Sequence, residues 1–298
     1  MRMIPIAVFC SILYAGSADN AGDAAAIMAK VAANMEKSAE ARRQFVYRQS
    51  TRASLVRSGG EVSRRESREY AVIPEPKGTE KKLVSFSGQY RKGKAMIPYS
   101  EPGFKYKDED IDGELLGDLV NDLTNDKDSR DGIPLSLFPL RTKVLHAYKF
   151  SMKAKTQYQG RPTYEILFEP AAKGSCVVLG EGNACDDEPW KGEAWIDAEE
   201  LEPLRIDTSL AFKVPWAVRT FLGTNLRQTG FSISYVRVAE GVWFPRTYGT
   251  EFKLDLLWVY KRTITLSLDN SAFQKAEANS TIAYDLADAP VGNAPPSK

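Results

Sequence analysis

Phe244-Pro245-Arg246-Thr247-Tyr248-Gly249-Thr250-Glu251-Phe252-Lys253-Leu254-Asp255-Leu256 alternates large apolar side chains with polar ones. Phe244, Tyr248, Phe252, Leu254 and Leu256 fall on one side of an extended chain, and Thr247, Glu251, Lys253 and Asp255 on the other. A period of two predicts an antiparallel strand with one apolar and one wet face. The pattern runs on downstream through Trp258, Tyr260, Ile264, Leu266 and Leu268. Upstream, Phe231, Ile233 and Tyr235 oppose Ser232 and Ser234, and Leu204, Ile206, Leu210 and Phe212 oppose Arg205, Asp207 and Ser209. Phe150, Met152 and Ala154, then Tyr164, Ile166 and Phe168, predict a hairpin around Gln159-Gly160-Arg161-Pro162. Residues 45–57 and 61–73 predict two long strands joined at Ser58-Gly59-Gly60, with 82–90 a third. About ten or eleven strands follow from these spacings.

Three segments break the period of two. In residues 19–43, Ile27, Val31 and Met35 recur every fourth position, which predicts an amphipathic helix with a narrow apolar stripe. In residues 110–126, Ile111, Leu115, Leu119 and Leu123 do the same beside Leu116 and Val120, with Asp112, Glu114, Asp118 and Asp122 on the back. Residues 214–223, from Val214-Pro215-Trp216 to Phe221-Leu222-Gly223, predict a short helix apolar on nearly every side. Such a segment lines or plugs an apolar space more readily than it sits on a surface. The fold class is therefore α+β, mainly antiparallel β, with an N-terminal helix and inserted helices.

The chain's start has three parts. Met1-Arg2-Met3 is basic, residues 4–14 are almost entirely apolar, and Ala15-Gly16-Ser17-Ala18 are small. That is the pattern of a secretory signal peptide, predicted at residues 1–18 with cleavage after Ala18. Its apolar run is too short to span a bilayer, which takes about 20 residues, so the processed chain is expected to be exported and not transmembrane. Cys10 belongs to the leader. The mature part divides into one β-rich domain at 19–284 and a tail at 285–298 whose prolines and small residues predict disorder. In an oxidising compartment, Cys176 and Cys185 in a Gly-rich loop predict a disulfide rather than a metal site.

Composition narrows the function classes. Of 298 residues, 43% are hydrophobic and 27% charged, close to the globular average. Lys plus Arg number 40 against 39 Asp plus Glu, so the basic footprint of a nucleic-acid binder is missing. His146 is the single histidine, which leaves a His-based triad one candidate base. There is no Gly-x-Ser-x-Gly elbow, Walker loop, Cys-x-x-Cys pair or His-Glu-x-x-His helix. The run 126–132 carries Arg130 at a ligand position and has no Glu at the twelfth, which excludes an EF-hand. Arg64, Glu66 and Arg68, like Arg48 and Arg52, predict a wet sheet face, and Glu199 and Glu200 a solvated turn. No catalytic residue, metal ligand or cofactor is predicted.

Trp190-Lys191-Gly192-Glu193-Ala194-Trp195-Ile196-Asp197, Leu201-Glu202-Pro203-Leu204-Arg205-Ile206 and Gly241-Val242-Trp243-Phe244-Pro245-Arg246 carry a resemblance. Together with the leader, the N-terminal helix and the long strands, they make the chain resemble the LolA/LolB-like superfamily of bacterial outer-membrane lipoprotein-sorting-type proteins. The resemblance implies a strongly curved, incomplete β-barrel with helices as a lid over an apolar cavity that holds acyl chains. The insertion at 110–139 and the Cys loop have no counterpart in that pattern.

Three function classes follow. The first is an exported periplasmic or secreted carrier of a lipid or lipidated protein, with envelope membrane proteins as further partners. Its predicted lining is Trp195, Phe212, Trp216, Phe221, Phe231, Phe244, Phe252 and Trp258, chosen on apolarity alone. The second is a non-catalytic envelope scaffold whose β-core is filled. The third is a hydrolase with two converging carboxylates.

Overall fold

The computed structural model describes residues 17–75, 78–124, 131–171, 190–211, 225–227, 230–256 and 259–276. Residues 1–16 of the predicted leader, the Cys176–Cys185 loop, Phe212, Trp216, Phe221, Trp258 and the 285–298 tail lie outside them.

Helix α1 (Ser17–Arg42) leads into β1 (Phe45–Arg57), β2 (Val62–Glu75), β3 (Gly78–Lys92) and β4 (Ala95–Tyr99), each antiparallel to the one before. A long connection then carries helix α2 (Ile111–Thr124) and two 3-10 turns, Leu135–Leu137 and Thr142–Ala147. The chain returns through β5 (Tyr148–Tyr158), β6 (Arg161–Pro170), β7 (Trp190–Asp197), β8 (Pro203–Leu210), β9 (Asn225–Arg227), β10 (Phe231–Ala239), β11 (Val242–Leu256) and β12 (Tyr260–Lys275). Among the described residues the sheet order is β4-β3-β2-β1-β12-β11-β10-β8-β7-β6-β5, with β9 paired to β11. β12 closes on β1 over most of their length, from Phe45 opposite Lys275 to Arg57 opposite Arg262. The two meanders thus merge into one sheet that stays open between edges β4 and β5.

Register makes the inner face continuous. Leu55, Ala53, Thr51 and Gln49 of β1 stand opposite Ile264, Leu266, Leu268 and Asn270 of β12, and all eight are buried. The same face continues through Phe252, Thr250 and Tyr248 of β11, Phe231 and Ile233 of β10, Ile206 of β8, Ala194 of β7 and Ile166 of β6. Strand alternation therefore selects the core, as the sequence predicts. Helix α1 lays Ala24, Met28, Val31, Ala32 and Met35 on this face.

Three expectations are corrected. The β3 strand runs well beyond 82–90, and β4 pairs along its outer edge. On α2 the buried line is Leu116, Val120 and Leu123, while Ile111 is 55% exposed. Arg64, Glu66 and Arg68 do not face water. They alternate on the inner side of β2 and are all buried. A period of two fixes which residues share a face but not which face is covered, and α2 covers this one.

Candidate functional site

Helix α2 is held to the sheet by polar contacts near its start, its middle and its end. Asp110 caps its first turn, accepting from the Gly113 amide at 3.1 Å, and also pairs with the Arg64 guanidinium at 2.5 Å. Arg64 further donates to the Tyr99 hydroxyl at 2.9 Å, and that hydroxyl donates to Glu66 at 2.6 Å. Arg68 meets the other Glu66 oxygen at 2.7 Å and reaches Asn121 of α2 at 3.1 Å. Burial works against the Arg64 charge, but Tyr99 and Asp110 outweigh it and raise its pKa. Tyr99 lies across Gly88 of β3, where an added Cβ would stand 2.2 Å from the ring. At the helix start, Arg262 and Tyr260 donate to Asp112 at 2.9 and 2.7 Å. Burial alone would raise the Asp112 carboxyl; those hydrogen bonds prevail and hold it below the usual carboxylate range. Lys81 donates to the Thr124 carbonyl at the helix C-terminus, where a cation suits the dipole.

Beside these contacts α2 borders an open apolar cleft of about 410 Å³. Leu119 and Leu123 form its roof, Trp190, Phe231, Tyr248, Phe252 and Leu266 its floor, and Phe138 and Arg141 one wall. The floor is a row of rings: Trp190 meets Phe231 edge-on at 4.9 Å between centroids, and Phe231 meets Tyr248 at 5.6 Å. Trp190, Phe231, Tyr248 and Phe252 are only partly buried, although they belong to the core-facing side of their strands. Burial pushes the Tyr248 phenol up to about 12, against a Thr250 hydrogen bond that lowers it. Small-molecule sites span roughly 300–1,000 Å³ and are lined in this manner by apolar and aromatic groups with few polar ones.

Of the predicted lining residues, Phe231 and Phe252 lie together in this cleft. Phe244 does not. It is fully buried beneath α1, within 4.5 to 5.7 Å of the rings of Phe45, Tyr47 and Phe273. Trp195 stands between buried Ala194 and Ile196, so it occupies the opposite face, beside Tyr158 and Arg205. Trp190, Tyr248, Leu119, Leu123, Phe138 and Arg141 were not among the predicted lining; for Tyr248 the alternation around Phe252 carried the signal.

The motifs behind the resemblance serve a different purpose. Asp197 caps the β7–β8 turn, accepting from the amides of Glu199 and Glu200 at 2.9 and 2.8 Å, and pairs with Arg161. Glu200, expected in a solvated turn, instead accepts from Trp243 Nε1 at 3.0 Å and from Arg161 at 2.9 Å. Ser38 and Arg42 of α1 donate to the Trp243 carbonyl, and Asn34 to the carbonyls of Glu200 and Leu201. These residues seat α1 on the sheet. Among the described residues, no group of three His, Cys, Asp or Glu is placed to hold a metal ion, and no helix is long and apolar enough to cross a membrane.

No family model matches the chain, and no curated protein does. Solved structures do. An outer membrane lipoprotein-sorting protein domain from Vibrio parahaemolyticus matches at 11% identity and a TM-score of 0.35, over 88% of this chain and 96% of that one. A LolA superfamily protein from Nitrosomonas europaea matches at 11% identity and a TM-score of 0.29, over 83% and 94%. A DUF1329 family protein from Desulfovibrio piger matches at 11% and 0.32, over 86% and 95%.

Proposed function

We propose that the protein is a non-enzymatic, exported carrier that holds the acyl part of a lipid or lipidated protein in the cleft beneath α2. The observation that supports this reading is the partly buried row Trp190-Phe231-Tyr248-Phe252, an apolar floor that borders an open cleft together with Leu119 and Leu123 of α2. Large apolar surfaces of this kind are normally packed away, and where they border an open cleft they mark a binding site. The signal-peptide pattern at residues 1–18 supports export to the periplasm or out of the cell, and a Cys176–Cys185 disulfide is part of the same reading. Envelope membrane proteins are then the partners that load or unload it.

A scaffold reading draws on Phe244, because part of the aromatic surplus is spent on packing α1. The two separate in one experiment. Leu119 is half-buried in the cleft roof, so Leu119→Trp fills the space without opening the core. The carrier reading expects a fluorescent fatty-acyl probe to bind the wild type and to bind the variant at least about tenfold more weakly, with melting temperature nearly unchanged. A wild type that leaves the probe free contradicts it.

A further inference from the structure

The cleft beneath α2 is lined mainly by apolar side chains, and Asp122, Arg141 and Thr250 are its charged and hydroxyl members. Asp122 stands exposed on α2 at the rim. Arg141 comes from the connection between the two 3-10 turns, just after Phe138 and Pro139, and is partly buried in the wall. It also lines a second, smaller cleft of about 230 Å³ against α1, so its side chain stands where two apolar spaces adjoin. Among the described residues, Arg42, Arg64, Arg68 and Arg262 are each matched to a carboxylate: Asp131, Asp110, Glu66 and Asp112 in turn. Arg141 is different. Its Nε is buried and has no hydrogen-bond partner.

A guanidinium is a fixed fork of donors that stays charged at all ordinary pH and matches the oxygens of a carboxylate or phosphate. A buried N–H without an acceptor is costly, and a charge-assisted hydrogen bond there recovers that cost. We infer that Arg141 is the headgroup receptor of the cleft, and that the preferred ligand is an amphiphile whose chain lies on Phe231, Tyr248 and Phe252 and whose anionic oxygen group accepts from Arg141. A cleft near the lower end of the small-molecule range suits a single chain. This inference rests on the acyl-binding reading above and adds to it which chain end is recognised.

The test compares three probes that share one chain, tetradecanoate, tetradecyl phosphate and tetradecanol, each titrated into the wild-type protein and into Arg141→Gln and Arg141→Lys. The wild type is expected to bind one or both anions about tenfold more tightly than the alcohol, the size of one charge-assisted hydrogen bond. Tighter binding of tetradecanoate assigns a fatty-acid end; tighter binding of tetradecyl phosphate assigns a phospholipid-type end. Arg141→Gln is expected to bring the anion-to-alcohol ratio close to one and Arg141→Lys to keep most of it. Because the ratio is taken within one protein, loss of folded material lowers both affinities and leaves it intact. Equal binding of anions and alcohol by the wild type overturns the inference while the acyl cleft stands. A preference that survives in Arg141→Gln overturns it too, and failure of all three probes to bind the wild type removes both readings.

Discussion

Glu202 is 5% exposed at the seat of α1, with Oε2 unpartnered, and burial pushes its carboxyl up to about 8. Arg42 opposes that rise, and Glu200 adds to it. A folded-state pKa above the unfolded value means that the native protein holds a proton the unfolded chain releases. The contribution to stability is then fully present below the ordinary glutamate pKa of 4.5, and it is lost as pH rises through about 8. Wild-type melting temperature is expected to fall between pH 5 and pH 8 by an amount on the order of a few kcal/mol in stability. Glu202→Gln, which carries the neutral shape permanently, flattens that slope and is the more stable protein at the upper end. Equal slopes for the two proteins in thermal melts would show that Glu202 is ionised in the fold. Neither Glu202 nor Arg42 is legible as buried from sequence: each follows residues that look like an exposed turn or a helix end. Only the Trp243 and Glu200 carbonyls that α1 reaches explain why they are covered.

At the scale of elements, α2 depends on charges rather than on its apolar stripe alone. Arg64 is 1% exposed and serves Asp110, Tyr99 and the Phe104 carbonyl together. Removing one partner of a buried pair leaves an uncompensated charge, at a cost of about 3–5 kcal/mol. Arg64→Leu is expected to lose about that much, with the largest rise in amide hydrogen exchange in α2 and β4. Exchange that rises uniformly, or not at all, would show that the helix is held by Leu116 and Val120. The same cluster marks a limit of sequence reading. Arg64, Glu66 and Arg68 carry the pattern of a wet face, and the residues that neutralise them, Asp110, Tyr99 and Asn121, come from distant positions. Alternation sorted β8, β10, β11 and β12 because most of their inner residues are apolar, so pattern and burial coincide there.

For the whole molecule, the sheet's pairing of β1 with β12 joins elements more than 200 residues apart, as in Phe45 opposite Lys275. No local signal carries that pairing, nor the order in which β5 to β8 complete the sheet, whereas the strands themselves were legible. Of the predicted lining, Phe231 and Phe252 border the cleft, whereas Phe138 and Arg141 reach it through an irregular connection that has no period to read. Export is a further whole-molecule expectation. N-terminal sequencing of the secreted product is expected to begin at Asp19, with Cys176 and Cys185 resistant to thiol labelling before reduction. A product that retains Met1 and labels at both thiols would contradict it. The most direct test of the central claim is native mass spectrometry of the protein taken from its own envelope without delipidation. A cleft that carries acyl chains predicts discrete adducts of lipid mass on the wild type and their loss in Leu119→Trp. Bare protein in both, or the same adducts in both, would contradict it.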